Sequence, residues 1–168
     1  MTRPDLQETF QKLVEEHKRI LYKVSNAYCK DRDSRDDLAQ EILFQLWRSF
    51  DRFDGSSRFS TWMYRVALNV AISFYRSEST RTRHVISDEQ RLLESADESQ
   101  SQPEDVRLLF RFIDLLDPLN KALILLYLDQ NSYQEIAAAL GITETNVATK
   151  INRLKTRMRR EFSGTRQA

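Results

Sequence analysis

The sequence predicts an all-α protein of two small helical domains joined by a flexible acidic linker, and three observations carry that prediction. Only three Gly and three Pro occur in 168 residues, too few for the many turns of an all-β chain. Apolar residues recur at i, i+3 and i+4 over several long stretches, the period of an amphipathic helix. Between Ser77 and Gln102 that period fails in a run rich in Ser and acids, which divides the chain in two.

The elements follow in order. Leu6, Phe10, Leu13, Val14, His17, Ile20, Leu21 and Val24 keep a helical spacing from Leu6 to about Lys30. Ser34 stands before Asp36 and Asp37, acids suited to the positive end of a helix beginning there. Leu38, Ala39, Ile42, Leu46, Trp47 and Phe50 form its apolar stripe, and Trp47 and Phe50 are expected in the core. "FDGSSRFS" interrupts with Gly and Ser. From Thr61 to about Tyr75 the period resumes through Trp62, Val66, Asn69, Val70 and Phe74. The linker is expected over 79–103, with a short helix near Glu89–Leu93. Periodicity returns over Val106–Leu116 and Leu119–Leu128, and Pro118 is placed to open the second of these helices. The expected domains are 1–78 and 104–163, with 164–168 a tail.

The final stretch, "YQEIAAALGITETNVATKINRLKTRMRR", spans Tyr133–Arg160. Ile136, Ala137 and Leu140 give a short helix one inward face. Gly141 can take the left-handed conformation that ends it, and Thr143 is placed to cap a second helix. There Val147, Ile151, Leu154 and Met158 recur inward, while Thr145, Asn146, Thr149, Lys150, Arg153, Arg157 and Arg160 share the other face. The order Ala137-x3-Gly141-x5-Val147-x3-Ile151 is a helix-turn-helix arrangement, in which small residues let two helices cross closely. Such a second helix can enter the DNA major groove. Thr145, Asn146, Thr149, Lys150 and Arg153 are the candidates for base edges and nearby phosphates. Lys155, Arg157, Arg159 and Arg160 fit a general electrostatic footing.

Charge is distributed in blocks. Asp31–Ser57 holds seven acids and four arginines, a balance of −3; Arg58–Arg83 holds five arginines and one acid, +4. His84–Asp105 holds seven acids and one arginine, −6; Glu144–Arg160 holds six Lys or Arg and one acid, +5. Alternating blocks imply that different segments meet different partners.

Other functions are excluded on composition. Cys29 is the only cysteine, so neither an intramolecular disulfide nor a Cys-based metal cluster can form. His17 and His84 lack metal-ligand spacing. No acids cluster at a catalytic spacing and no Gly-rich phosphate loop occurs, so neither an enzyme nor a cofactor- or metal-dependent protein is expected. The longest apolar run, Ala122–Leu128, is far too short to span a bilayer, and "MTRPDLQETF" lacks a signal-peptide core. The expected location is the cytoplasm.

A helix-turn-helix alone suggests a dimeric transcriptional regulator, and that alternative stands on the C-terminal motif. The N-terminal half changes the reading. "DDLAQEILFQLWRSFDRFDGSSRFSTWMYRVALNVAISFYRS", Asp36–Ser77, resembles the promoter-melting domain of bacterial RNA polymerase sigma factors, specifically the small extracytoplasmic-function (ECF) type. Its similar features are "DDLAQE", a following "LW", and "FSTWMYRVALNVA". Leu116–Arg160 looks like that family's second domain, which reads the upstream minus-35 element. The match covers nearly the whole chain in order.

The resemblance implies roles. Asp37, Gln40 and Glu41 match positions that contact core polymerase at the clamp helices of its largest subunit, and an exposed acidic and amide face fits a basic helical partner. The flap of the second-largest subunit and an anti-sigma factor are further implied partners of a chain that is monomeric when free. Arg58–Arg76 matches the element that opens the minus-10 region, where strand separation needs cations and a stacking surface for an extruded base. Arg58, Phe59, Ser60 and Trp62 are its expected loop edge, with Arg65, Asn69 and Arg76 along the helix. Phe59 and Trp62 read equally well as core aromatics. The linker corresponds to the family's connector through the polymerase cleft, and its composition fits a solvating tether equally. The sequence departs from the family at "LDPLN", where Asp117 separates Leu116 from Pro118. It departs again in the recognition helix, "TETNVATKINRLK", a difference that alters the promoter sequence read.

Overall fold

The computed structural model describes residues 2–82 and 102–166, with side chains for 2–77 and 102–164. The linker residues 83–101, the short helix expected at Glu89–Leu93, and Gln167 and Ala168 of the tail lie outside the described residues. All regular structure among the described residues is helical: α1 (Arg3–Glu16), α2 (Lys18–Tyr28), α3 (Arg32–Ser49), a 3-10 turn at Phe50–Arg52, α4 (Phe59–Thr82), α5 (Glu104–Asp114), α6 (Pro118–Leu128), α7 (Tyr133–Leu140) and α8 (Glu144–Arg166). The chain divides into two compact units, parting between Arg83 and His84.

In the first unit α2, α3 and α4 pack on one another. Ile20, Leu21, Val24 and Tyr28 of α2 meet Leu38, Ile42 and Leu46 of α3 and Met63, Tyr64, Ala67, Leu68 and Ala71 of α4, all buried. Each large apolar side chain so enclosed contributes roughly 1.5–3 kcal/mol. The continuous helix expected from Leu6 to Lys30 is instead two helices. His17 leaves the helical region (φ −115°, ψ 14°), its N–H reaches the carbonyls of both Leu13 and Val14, and its ring Nδ1 lies 2.9 Å from the Leu13 oxygen. A carbonyl only accepts, so Nδ1 carries the proton.

The start of α3 also differs from expectation. Asp31, three residues before Ser34, is the N-cap, and its carboxylate accepts the Ser34 N–H at 2.8 Å. Nε of Arg35 donates to the Cys29 carbonyl at the end of α2, a cation at the negative end of a helix. The α3–α4 loop turns at Gly55 (φ +75°), beside a turn in which Asp54 accepts the Ser56 N–H. Helix α4 runs on to Thr82, past the expected start of the linker at 79.

In the second unit α6 is the centre. Lys121–Leu126 are buried without a break, as befits a helix enclosed on all sides. Phe112, Ile113 and Leu116, then Ile136, Ala137 and Ala139, and finally Val147, Ile151 and Leu154 close around it. Asp117, the residue that separates Leu116 from Pro118, caps α6 through the Asn120 N–H, with Pro118 at the first helical position. Ser132 and Glu135 form a reciprocal capping box at the start of α7.

Candidate nucleic-acid interface

In the second unit, α7 ends at Gly141, which adopts φ 67°, ψ 33°, a left-handed conformation that a Cβ disfavours. Two residues later the Thr143 hydroxyl accepts the Asn146 N–H at 3.1 Å and starts α8. Val147, Ile151 and Leu154 are buried, which fixes the rotation of α8. Thr145, Asn146, Thr149 and Arg153 are consequently exposed, and Lys150 is half-buried. The positions recur at i, i+1, i+4, i+5 and i+8, so they lie on one face over the first three turns.

The cations further along α8 divide into two sets. Lys155 sits over the Tyr127 ring, 4.5 Å from its centre, and a hydrogen bond with the Tyr127 hydroxyl holds its pKa above the usual lysine value. Arg157 lies over Phe112 of α5 at 5.5 Å and pairs with Glu161 at 2.9 Å. These two are engaged within the unit, whereas Arg159 and Arg160 are exposed. Arg157, expected on the open face, keeps 41 % of its side chain exposed and also gives its guanidinium aromatic and ionic partners on its own unit.

In the first unit, Trp62, Arg65, Asn69 and Arg76 descend one side of α4 at i, i+3, i+7 and i+14, opposite the buried Met63, Tyr64, Ala67, Leu68 and Ala71. Arg65, Asn69 and Arg76 are exposed, Trp62 and Ser60 are half-buried, and Arg58 is exposed just before the helix. Phe59 is 7 % exposed, so it is core and supports the surface from beneath. Around it stand Phe50, Phe53 and Trp62. Ring centres are 5.2 Å apart for Phe53–Trp62, 5.6 Å for Phe53–Phe59 and 5.5 Å for Phe59–Trp62. Half-buried Phe53 and Trp62 form the outer edge of this cluster. Phe53 was absent from the expected site; its spacing gave no sign of it, because it belongs to neither helix.

A third surface runs along α3. Asp37, Gln40 and Glu41 are exposed, and the Gln45 amide donates to Glu41 at 2.8 Å. Phe44, seven residues after Asp37, is 56 % exposed on the same stripe. Trp47 is 42 % exposed, which corrects its assignment to the core: it lies at the margin of the stripe whose centre, Leu46 and Phe50, is buried, and only one side of it is covered, by Phe10 edge-on at 5.1 Å. Phe50 is buried as expected. No group of three or more potential metal ligands occurs among the described residues.

Two helical units, one with a helix-turn-helix and the other with a cationic stripe beside an aromatic edge, define a DNA-recognition protein. Residues 13–81 match the family Sigma-70 region 2, and residues 107–158 match Sigma-70, region 4. The chain is 30 % identical over 158 residues to the ECF RNA polymerase sigma factor SigX of Bacillus subtilis, covering 88 % of this chain and 80 % of that one. It is 31 % identical over 161 residues to the ECF RNA polymerase sigma-E factor of Escherichia coli K12, covering 89 % and 84 %. The chain belongs to the ECF RNA polymerase sigma factors, and its function is that of a sigma factor in transcription initiation. The fold is shared with CnrH, solved in complex with the cytosolic domain of CnrY (TM-score 0.68, 22 % identity, 94 % of this chain and 90 % of that one). It is shared also with the sigma factor RpoE of Bartonella quintana, solved with the anti-sigma factor NepR (TM-score 0.65, 18 % identity, 95 % and 97 %).

Proposed function

We propose that the first unit both joins core RNA polymerase and opens the minus-10 element, while the second reads the minus-35 element. On this reading Asp37, Gln40 and Glu41 seat against the basic clamp helices of the largest subunit, with Phe44 adding apolar contact at the centre of the stripe. Arg58, Arg65 and Arg76 hold the backbone of the opened strand, and Asn69 hydrogen-bonds a base or sugar edge. Trp62 and Ser60 bound the place where an extruded base rests. Thr145, Asn146, Thr149, Lys150 and Arg153 enter the major groove upstream. Phe110 and Leu115, exposed on the second unit, offer apolar surface to the flap of the second-largest subunit.

The observation that carries this reading is the stripe on α4 of half-buried Trp62 and exposed Arg65, Asn69 and Arg76. A dimeric repressor has no use for a second nucleic-acid surface on a unit other than its helix-turn-helix, while a subunit that separates strands requires one. The chain itself catalyses nothing; it works in the cytoplasm as a monomer that an anti-sigma protein sequesters. Among the described residues, no helix is long and apolar enough to cross a membrane.

The test is reconstitution with core polymerase. The full chain directs promoter-specific initiation, and the double variant Asp37→Ala, Gln40→Ala competes less well against a second sigma factor for core. Unchanged competition removes the α3 stripe from the interface; failure of the wild-type chain to bind core overturns the whole reading.

A further inference from the structure

We propose that Phe10 and His17 are positioning residues for the aromatic edge that receives the minus-10 strand, acting through Phe50 and Phe59. The proposal rests on the assignment of Arg58–Arg76 to that strand. A stacking surface discriminates only if its rings are held in place before the base arrives. Trp62 is carried by the first turn of α4, but Phe53, the other half of the edge, is poorly anchored by its own segment. Phe53 follows a single 3-10 turn and precedes the loop that bends at Gly55, so local backbone geometry supplies little rigidity.

The anchoring comes from behind. Phe53 stacks on Phe50 at 6.3 Å, and Trp62 reaches Phe50 at 6.2 Å and Phe59 at 5.5 Å. Phe50 and Phe59 are both buried, and each has a further ring on it. Phe10 of α1 meets Phe50 edge-on at 5.1 Å, and the His17 ring meets Phe59 at 5.2 Å. These two supports are seven residues apart, two turns on one face of α1 and its end. A single helix therefore braces both inner rings.

Each support is itself held. Phe10 is buried and flanked on a second side by Trp47. His17 is fixed by its Nδ1–H bond to the Leu13 carbonyl and by the break between α1 and α2, which turns the ring away from a continuous helical course. Phe10 lies outside the matched region 2 segment, which begins at residue 13. Phe10 is buried, and the ring that His17 meets is the inner Phe59, which itself carries Phe53 and Trp62. Their effect on that strand is indirect.

The experiment uses the full chain assembled with core polymerase. Three affinities are measured: for core, for a duplex carrying only the minus-35 element, and for a fluorescent single-stranded minus-10 oligonucleotide from a start site mapped with this chain. Trp62→Ala is the reference. Phe10→Ala and His17→Ala each lower the single-strand affinity by about tenfold, in the range that loss of a base-stacking aromatic gives, while the other two affinities stay within about twofold. Phe10→Leu and His17→Phe, which keep bulk or ring against Phe50 and Phe59, recover most of the loss. If Trp62→Ala lowers single-strand affinity and Phe10→Ala and His17→Ala do not, the positioning role is wrong. A parallel fall of all three affinities, without recovery in the conservative variants, means a folding role and also overturns it. If Trp62→Ala is itself without effect, the minus-10 assignment fails instead.

Discussion

Replacing Gly141 tests the geometry of the helix-turn-helix with unusual clarity, because the structure isolates one energetic term. A Cβ built at Gly141 meets no heavy atom within 4 Å, so substitution there brings no clash. The backbone, however, sits at φ 67°, where an L-residue with a Cβ is disfavoured by roughly 1–2 kcal/mol. Gly141→Ala should therefore destabilise the second unit by about that amount, Gly141→Asn by less because Asn tolerates the left-handed region, and Gly141→Val by more. If the residue were in an ordinary helical conformation, alanine would stabilise by about 0.4–1 kcal/mol, so the sign alone decides. The assay is urea denaturation followed by far-UV circular dichroism. With a slope of about 1 kcal/mol per molar urea for a small unit, the midpoint falls by roughly 1–2 M. Both tryptophans, Trp47 and Trp62, lie in the first unit, so their fluorescence does not report directly on the substituted unit. An alanine variant with an unchanged or raised midpoint refutes the left-handed turn.

Two further outcomes follow from side chains already described. Asp31→Ala should cost the first unit about 1 kcal/mol near neutral pH, the usual worth of an N-cap. Burial raises the Asp31 pKa, but bonds from the Ser34 backbone and side chain outweigh it and hold the carboxyl below its usual range. The cap is thus fully present above the unfolded value of about 4 and is lost as pH falls through the lower folded value. Tryptophan-monitored stability of wild type and variant should converge in acid, and a gap that persists there contradicts the cap. Arg153→Ala should weaken minus-35 duplex binding and reduce the slope of log affinity against log salt by about 1. Arg157→Ala should leave that slope unchanged and lower the stability of the second unit, because its guanidinium covers Phe112 and pairs with Glu161; a changed slope returns Arg157 to the DNA face.

The helix-turn-helix was legible because its signals are local. Gly141 ends α7, Thr143 caps α8, and the buried positions Val147 and Ile151 fix which face remains outside; each depends on residues only a few positions away. The α1–α2 break was not legible, because the apolar spacing from Phe10 through His17 to Val24 continues across it and no Gly or Pro marks it. The start of α3 was misplaced for a related reason: Asp31 and Ser34 are both good caps, and the Arg35–Cys29 bond at the junction with α2 is invisible in one dimension. Trp47 reads as core because it keeps the stripe, yet it stands at the stripe's margin, and how far a covering helix reaches around that margin is not written in the spacing. The division of the basic face was equally hidden, since Lys155 and Arg157 are held by Tyr127 and Phe112, 28 and 45 positions earlier in the chain.

The near-zero net charge, +1, then has a physical account. A protein that met only DNA would gain affinity from every added cation. On the proposed reading this chain must also present α3 to a basic helical partner, and Arg35 helps it do so. Its guanidinium is drawn back onto the Cys29 carbonyl, which leaves Asp36, Asp37 and Glu41 exposed with less compensating charge beside them. On α8 Glu161 is instead paired with Arg157, and on α4 and α8 Arg65, Asn69, Asn146 and Arg153 stand exposed. Adding Lys to the α3 stripe should therefore strengthen non-specific DNA binding while weakening assembly with core. Total charge is a poor guide to the partner of a subunit that sits between a cationic protein surface and an anionic duplex; the sign of each face is the informative quantity.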